Sequence, residues 1–204
     1  NNVNGQLGDG TITSRSTPAP TSTLGSDRHA ISISSSDGHA CVLLDDYSIK
    51  CWGYNPYGAL GDGTTTSRNV PTSVSTLNST YNAISISTSQ GGSHSCAILA
   101  DGTVNCWGRN YHGQLGDGTS TDRNIPTAVS IPEPYKLLAI SVDFGACGLV
   151  DNGSVVCWGP DGLGNNNYSP VQISDLGRYV MLPALAEFEH PETFEPIEIY
   201  FEKY

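Results

Sequence analysis

Short runs that alternate apolar and small polar residues recur along the chain, and none lengthens into a helical stripe. Asn82-Ala83-Ile84-Ser85-Ile86-Ser87 is the clearest. Its period of two is that of a half-covered strand. A Gly/Ser break at Gln90-Gly91-Gly92-Ser93 follows, then a second apolar run from His94 to Leu99. Asp101-Gly102 is a hairpin turn signal leading to a third strand, Thr103 to Trp107. The stretch from Gly108 to Gly118 holds too many glycines for a helix and many positions that tolerate positive φ. Ile125-Pro126-Thr127-Ala128-Val129 reads as a short last strand, whose proline suits a sheet edge. The pattern predicts an all-β chain in which each unit has roughly four short strands, the make-up of a propeller blade.

The unit recurs. HACVLLDDYSIKCWGYNPYGALGDGTTTSRNVPTSVS and HSCAILADGTVNCWGRNYHGQLGDGTSTDRNIPTAVS are followed by a worn copy, GACGLVDNGSVVCWGPDGLGNNNYSPVQIS. NNVNGQLGDGTITSRSTPAPTSTL matches the back half of another copy. Cys51 and Cys106 are 55 residues apart, Cys106 and Cys157 51. A period of this size marks supersecondary units that bury a core only by stacking on their neighbours. Blades are expected at about 28–75, 81–130 and 136–174, with a partial blade at 1–24.

The ordered motifs His-x-Cys-x-Leu, Asp-Gly-x-Val, Cys-Trp-Gly-x-Asn, Gly-Gln-Leu-Gly-Asp-Gly-Thr and Pro-x-x-Val resemble the RCC1 (regulator of chromosome condensation) repeat family. The Cys-Trp-Gly form is similar to the family's extracellular branch, including crinkly-type repeats of plant receptor kinases and secreted microbial proteins. The resemblance spans about residues 1–176 and implies a β-propeller, usually of about seven blades. Three full copies and a partial one fall short of that ring. The third copy also departs from the pattern, with Gly145 in place of the histidine and a trimmed loop after Trp158. The propeller is therefore expected to be incomplete, or completed by assembly.

Beyond about Leu176 the repeat dissolves into a divergent segment, 177–204. Arg178 to Leu182 stands where a new blade would open, and Ala186–His190 and Ile197–Glu202 keep strand character between prolines. Ile197, Ile199 and Phe201 share one face of the last run. The segment reads either as a terminal cap or as an assembly strand that completes the partial blade 1–24, in its own chain or in a neighbour.

Composition narrows the partners. The net charge is −11, and such a surface repels phosphate backbones, so nucleic acid is not expected to bind. No run approaches the roughly 18 apolar residues of a membrane span. Only 14% of residues are charged, as befits a turn-rich β protein with a neutral polar surface.

The six cysteines form pairs ten residues apart, Cys41/Cys51, Cys96/Cys106 and Cys147/Cys157. With a three-residue loop at Ala100-Asp101-Gly102, Cys96 lies opposite Cys106, close enough for a disulfide. A two-residue loop would set the pair diagonally. The even count and constant spacing favour disulfides and an oxidising compartment, outside the cell or on its surface. Two alternatives remain at this point: reduced, buried cysteines, and a zinc site using His39-x-Cys41 and His94-x-Cys96, which Gly145 would break.

Asp9, Asp62 and Asp117 in Leu-Gly-Asp-Gly-Thr read as turn residues, since each loop lacks the second carboxylate and glutamate of a calcium loop. Trp52, Trp107 and Trp158 each follow a cysteine and so point to the opposite sheet face, into inter-blade packing rather than a sugar-stacking platform. Asn78, Asn152 and Asn167 are N-glycosylation acceptors by motif, though a chain this rich in Asn, Ser and Thr yields such motifs by chance. No catalytic constellation emerges, and no cofactor is expected. The expected function is a non-enzymatic extracellular scaffold that self-associates through open sheet edges, as a filament or surface-assembly subunit. A secreted protein-binding or inhibitor module, or a receptor ectodomain fragment, is the alternative.

Overall fold

A computed structural model describes residues 1–173 apart from 78–81, 92, 133 and 161–165. Asn78 and the segment 177–204, with Ile197, Ile199 and Phe201, lie outside the described residues. Within them the chain is all-β, with twelve strands in three antiparallel four-stranded sheets. Blade 1 holds β1 (Ala30–Ser35), β2 (His39–Leu44), β3 (Ile49–Gly53) and β4 (Arg68–Ser73). Blade 2 holds β5 (Ala83–Thr88), β6 (His94–Leu99), β7 (Val104–Gly108) and β8 (Arg123–Ala128). Blade 3 holds β9 (Leu137–Val142), β10 (Ala146–Val150), β11 (Val155–Pro160) and β12 (Asn166–Ile173). Each sheet keeps sequence order, and the first strands touch from blade to blade, β1 on β5 and β5 on β9. This is the arrangement of propeller blades, and the ring is not closed among the described residues.

Hairpin chemistry sets the register. In blade 2 the Leu99 N–H donates to Thr103 O and the Gly102 N–H to Leu99 O, which closes the loop Ala100-Asp101-Gly102. Gly102 sits at φ +85°, where a side chain is strained. Asp101 Oδ1 braces the turn by accepting from the Thr103 N–H and hydroxyl. Tyr47 takes the equivalent place in blade 1 at φ +64°. The three-residue loop puts Cys41 opposite Cys51, Cys96 opposite Cys106 and Cys147 opposite Cys157. All three pairs are disulfides with Cα atoms 4.1 Å apart.

The two middle strands of each sheet have two apolar faces. One carries the disulfide, the other the tryptophan. The disulfide face of blade 1 (Cys41, Leu43, Ile49, Cys51) packs on the tryptophan face of blade 2 (Ala83, Ile86, Ala97, Leu99, Trp107). Blade 2 repeats the contact on blade 3 with Cys96, Ile98, Val104 and Cys106 against Leu137, Ala146, Val150, Val156 and Trp158. The core therefore lies between blades. Pro71, Pro126 and Pro170 sit on β4, β8 and β12, the outer strands, where no ladder needs their missing N–H.

Candidate functional site

One buried asparagine organises each of the Gly-rich loops that follow Asn2, Asn55 and Asn110. In blade 1 the fully buried Asn55 accepts the Leu60 N–H at its Oδ1 (2.9 Å) and donates from Nδ2 to the carbonyls of Thr64 and Thr66 (both 3.1 Å). Asn110 does the same for Leu115, Thr119 and Thr121, and Asn2 for Leu7, Thr11 and Thr13. An aspartate then clamps the loop's far side. Asp62 Oδ1 accepts from the Thr64 N–H and hydroxyl, and Arg68 donates to Oδ2 from Nε and a terminal nitrogen, both at 2.8 Å. Burial alone would raise the Asp62 pKa, but the Thr64 and Arg68 hydrogen bonds outweigh it and hold it below the usual range. Asp9, bonded by Thr11 and Arg15, is held at about 2. These aspartates are turn residues, as expected, and their acceptors are occupied by protein donors.

Each loop leaves its own blade and lies on the next. Trp107 Nε1–H donates 2.9 Å to the Ala59 carbonyl of the preceding loop, and Trp158 donates 2.9 Å to Gln114 O. Trp52 donates 2.9 Å to Gln6 O, so residues 1–11 dock on blade 1 as the later loops dock on blades 2 and 3. Gly61 permits the approach. It sits at φ +66°, and a Cβ there would come within 2.7 Å of the Trp107 Nε1. The tryptophans are thus buried inter-blade anchors, and the alternative of a sugar platform is excluded for them.

A second polar link crosses the junction of blades 1 and 2. His39 is buried on β2, with Ser36 Oγ 2.9 Å from Nδ1 and Ser95 Oγ of blade 2 2.9 Å from Nε2. Ser95 donates its one hydroxyl proton to Ala59 O (2.9 Å), so it accepts from His39 Nε2–H. Burial pushes the His39 pKa down to about 4, and the ring stays neutral. Blade 3 carries Gly145 and Ala146 at the positions of His94 and Ser95.

Among the described residues, the disulfide face of blade 3 is an exposed apolar surface. In blades 1 and 2 every residue of β2 and β6 is buried. In β10 burial alternates, and Cys147 and Leu149 are exposed. Leu149 is 41% exposed, while Leu43 and Ile98 at the matching positions are 2% and 0% exposed. A cavity of about 530 Å³ opens at one end of this face, between Phe144, Trp158, Pro160 and the Cys147–Cys157 bridge. Nothing among the described residues covers it.

Asn152 is exposed in its hairpin turn, its Oδ1 accepting from the Ser154 N–H and hydroxyl. Asn167 is half-buried on β12. The disulfides leave no thiolate for a metal, and no His/Cys/Asp/Glu group fit for one occurs among the described residues. The loop asparagines and the His39–Ser95 link had no assigned role in the sequence, although the asparagine stands openly in Cys-Trp-Gly-x-Asn.

Models of the Regulator of chromosome condensation (RCC1) repeat match residues 51–98 and 101–147, and a second such model matches 30–59 and 84–114. The chain belongs to the RCC1 repeat family. Human probable E3 ubiquitin-protein ligase HERC4 is 28% identical over 179 residues, which are 84% of this chain and 17% of that protein. Human WBSCR16 superimposes with a TM-score of 0.74 at 23% identity, over 85% of this chain and 46% of that one. Yeast RCC1 (Prp20), solved bound to Kap60, gives 0.60 at 19% identity, over 74% and 38%. These structures share the RCC1 blade and its stacking. The chain spans less than half the length of each of these relatives.

Proposed function

We propose that this RCC1-repeat chain is a non-enzymatic protein-interaction scaffold that works outside the cell or on its surface and self-associates through the disulfide face of blade 3. One observation carries the reading: a face buried in blades 1 and 2 is open in blade 3. An array that packs this face twice is shaped to pack it again, here against a second copy. The three disulfides support an oxidising compartment. Yeast Prp20 has been studied for binding to Gsp1p and histones, which supports protein partners for this class of fold. Residues 177–204, with Ile197, Ile199 and Phe201, remain the proposed assembly strand.

Sedimentation velocity with electron microscopy tests the reading. Concentration-dependent assembly is expected, with Leu149→Asp and deletion of 190–204 each abolishing it while the melting temperature holds. Discrete monomers at all concentrations would overturn self-association. They would favour a secreted protein-binding module instead, a reading supported by the loop-tip group of Arg109 stacked 5.1 Å over Tyr57 with exposed Tyr111 nearby in sequence.

A further inference from the structure

A second cavity, of about 330 Å³, lies where the docked N-terminal loop meets the β1–β2 turn of blade 1 and the β5–β6 turn of blade 2. Its walls include Asn4, Gln6, Asp37, Tyr54, Ser89 and Gln90. No lysine, arginine or aliphatic side chain lines it among the described residues. That composition rejects two ligand classes. An anion would find no lysine or arginine and one carboxylate, on a chain of net charge −11. An apolar molecule would desolvate amides and a carboxylate without replacing their hydrogen bonds.

The polar groups are held in place. Ser36 Oγ accepts the N–H groups of Gly38 and His39 at 3.3 and 3.1 Å, and the Tyr54 N–H donates 2.8 Å to Gly38 O. Asp37 therefore stands at the tip of a pinned turn, and its carboxylate makes no hydrogen bond or ion pair among the described residues. Gln6 Oε1 accepts the Asn4 N–H at 3.0 Å, which leaves the Gln6 amide nitrogen to donate. Gln90 is tethered to blade 1 by a 3.3 Å bond to Ser35 O. Below, His39 is fixed between Ser36 and Ser95. An unpaired carboxylate on a pinned turn, the Gln6 amide donor and one phenol ring match a ligand with many hydroxyls and an apolar C–H face.

We infer that this cleft binds a neutral saccharide. The hydroxyls donate to Asp37 and accept from the Gln6 amide, and a sugar face rests on Tyr54. The inference is independent of self-association, since the cleft lies at the blade 1–2 junction and the open face on blade 3. Saturation-transfer NMR and calorimetry with a panel of neutral mono- and disaccharides (glucose, galactose, mannose, N-acetylglucosamine and their dimers) test it on the full chain. At least one sugar is expected to bind. Asp37→Ala and Tyr54→Ala should each weaken binding by about tenfold or more, with the melting temperature unchanged and Tyr111→Ala as an inert control. No binding by any neutral sugar would overturn the inference. So would binding that both variants leave intact, or a preference for amines, divalent cations or sialylated sugars.

Discussion

Blades 2 and 3 carry the same disulfide on the same face, yet one face is core and the other is surface. Ile98 and Cys106 are fully buried, whereas Leu149 and Cys147 are exposed. The strands themselves hardly differ: both are short, apolar and bridged at the same register. What differs is the neighbour. Burial in this fold is conferred by the next blade along, so a face is core or interface according to what stands beside it. The covered side of blade 3 has adjusted to its neighbour. Leu137 and Gly148 stand where blade 2 has Ala83 and Ala97, and a Cβ on Gly148 would collide with the Leu137 side chain. A large residue on one strand is matched by the loss of a side chain on the next.

The largest effect should come from the anchor that makes a face covered. Trp107→Ala is expected to cost about 3–5 kcal/mol in urea unfolding, since it removes a buried indole and leaves Ala59 O without one donor. Stability unchanged within error would mean that the loop-to-tryptophan dock does not hold the blades together. The paired substitution is sharper. Ile98→Ala should cost about 2–5 kcal/mol and Leu149→Ala less than about 1 kcal/mol. Equal costs would show that the blade 3 face is covered after all.

The junction of blades 1 and 2 should also be sensitive to acid. His39 is neutral when folded, with a pKa of about 4, against an ordinary value of 6.5. Above pH 6.5 both states bind the same number of protons there. Between pH 6.5 and 4 the unfolded chain takes up a proton that the folded one refuses, so stability falls through that window, by about 3 kcal/mol in all. His39→Gln should flatten this part of the pH–stability curve, and an unchanged slope would remove His39 as its source. The smallest test is kinetic. Under mild reductant the exposed Cys147–Cys157 bridge should open about tenfold or more faster than the two buried ones, as differential alkylation would read. Equal rates would contradict the difference in cover.

The strands and the cysteine register were legible because their causes are local. The Ala100-Asp101-Gly102 loop and the ten-residue spacing sit in one hairpin, and a three-residue loop leaves one pairing. The opposite facing of Trp107 and Cys106 follows from the strand period alone. The inter-blade dock was not legible. Trp107 and Ala59 lie 48 residues apart, and nothing near either names the other. His39 and Ser95, 56 apart, are the same case: each looks like an ordinary repeat residue until the blades are stacked. Asn110 was visible as a motif letter, but its work is done on backbone groups up to 11 residues away, which composition does not reveal. The openness of blade 3 was hidden for the deepest reason, because Cys147 and Leu149 obey the same apolar pattern as their buried counterparts.

The loop that lies on the following blade also gives the array a direction in time. As the chain leaves the ribosome, blade 1 can pair its strands at once, but Ala59 and Gly61 have nothing to settle on until Trp107 has emerged. Each blade is thus provisional until its successor arrives and then locks behind it, so maturation travels from the first blade toward the last. A nascent chain stalled before Trp107 would carry the blade 1 loop without its seat, and one stalled before Trp158 the blade 2 loop.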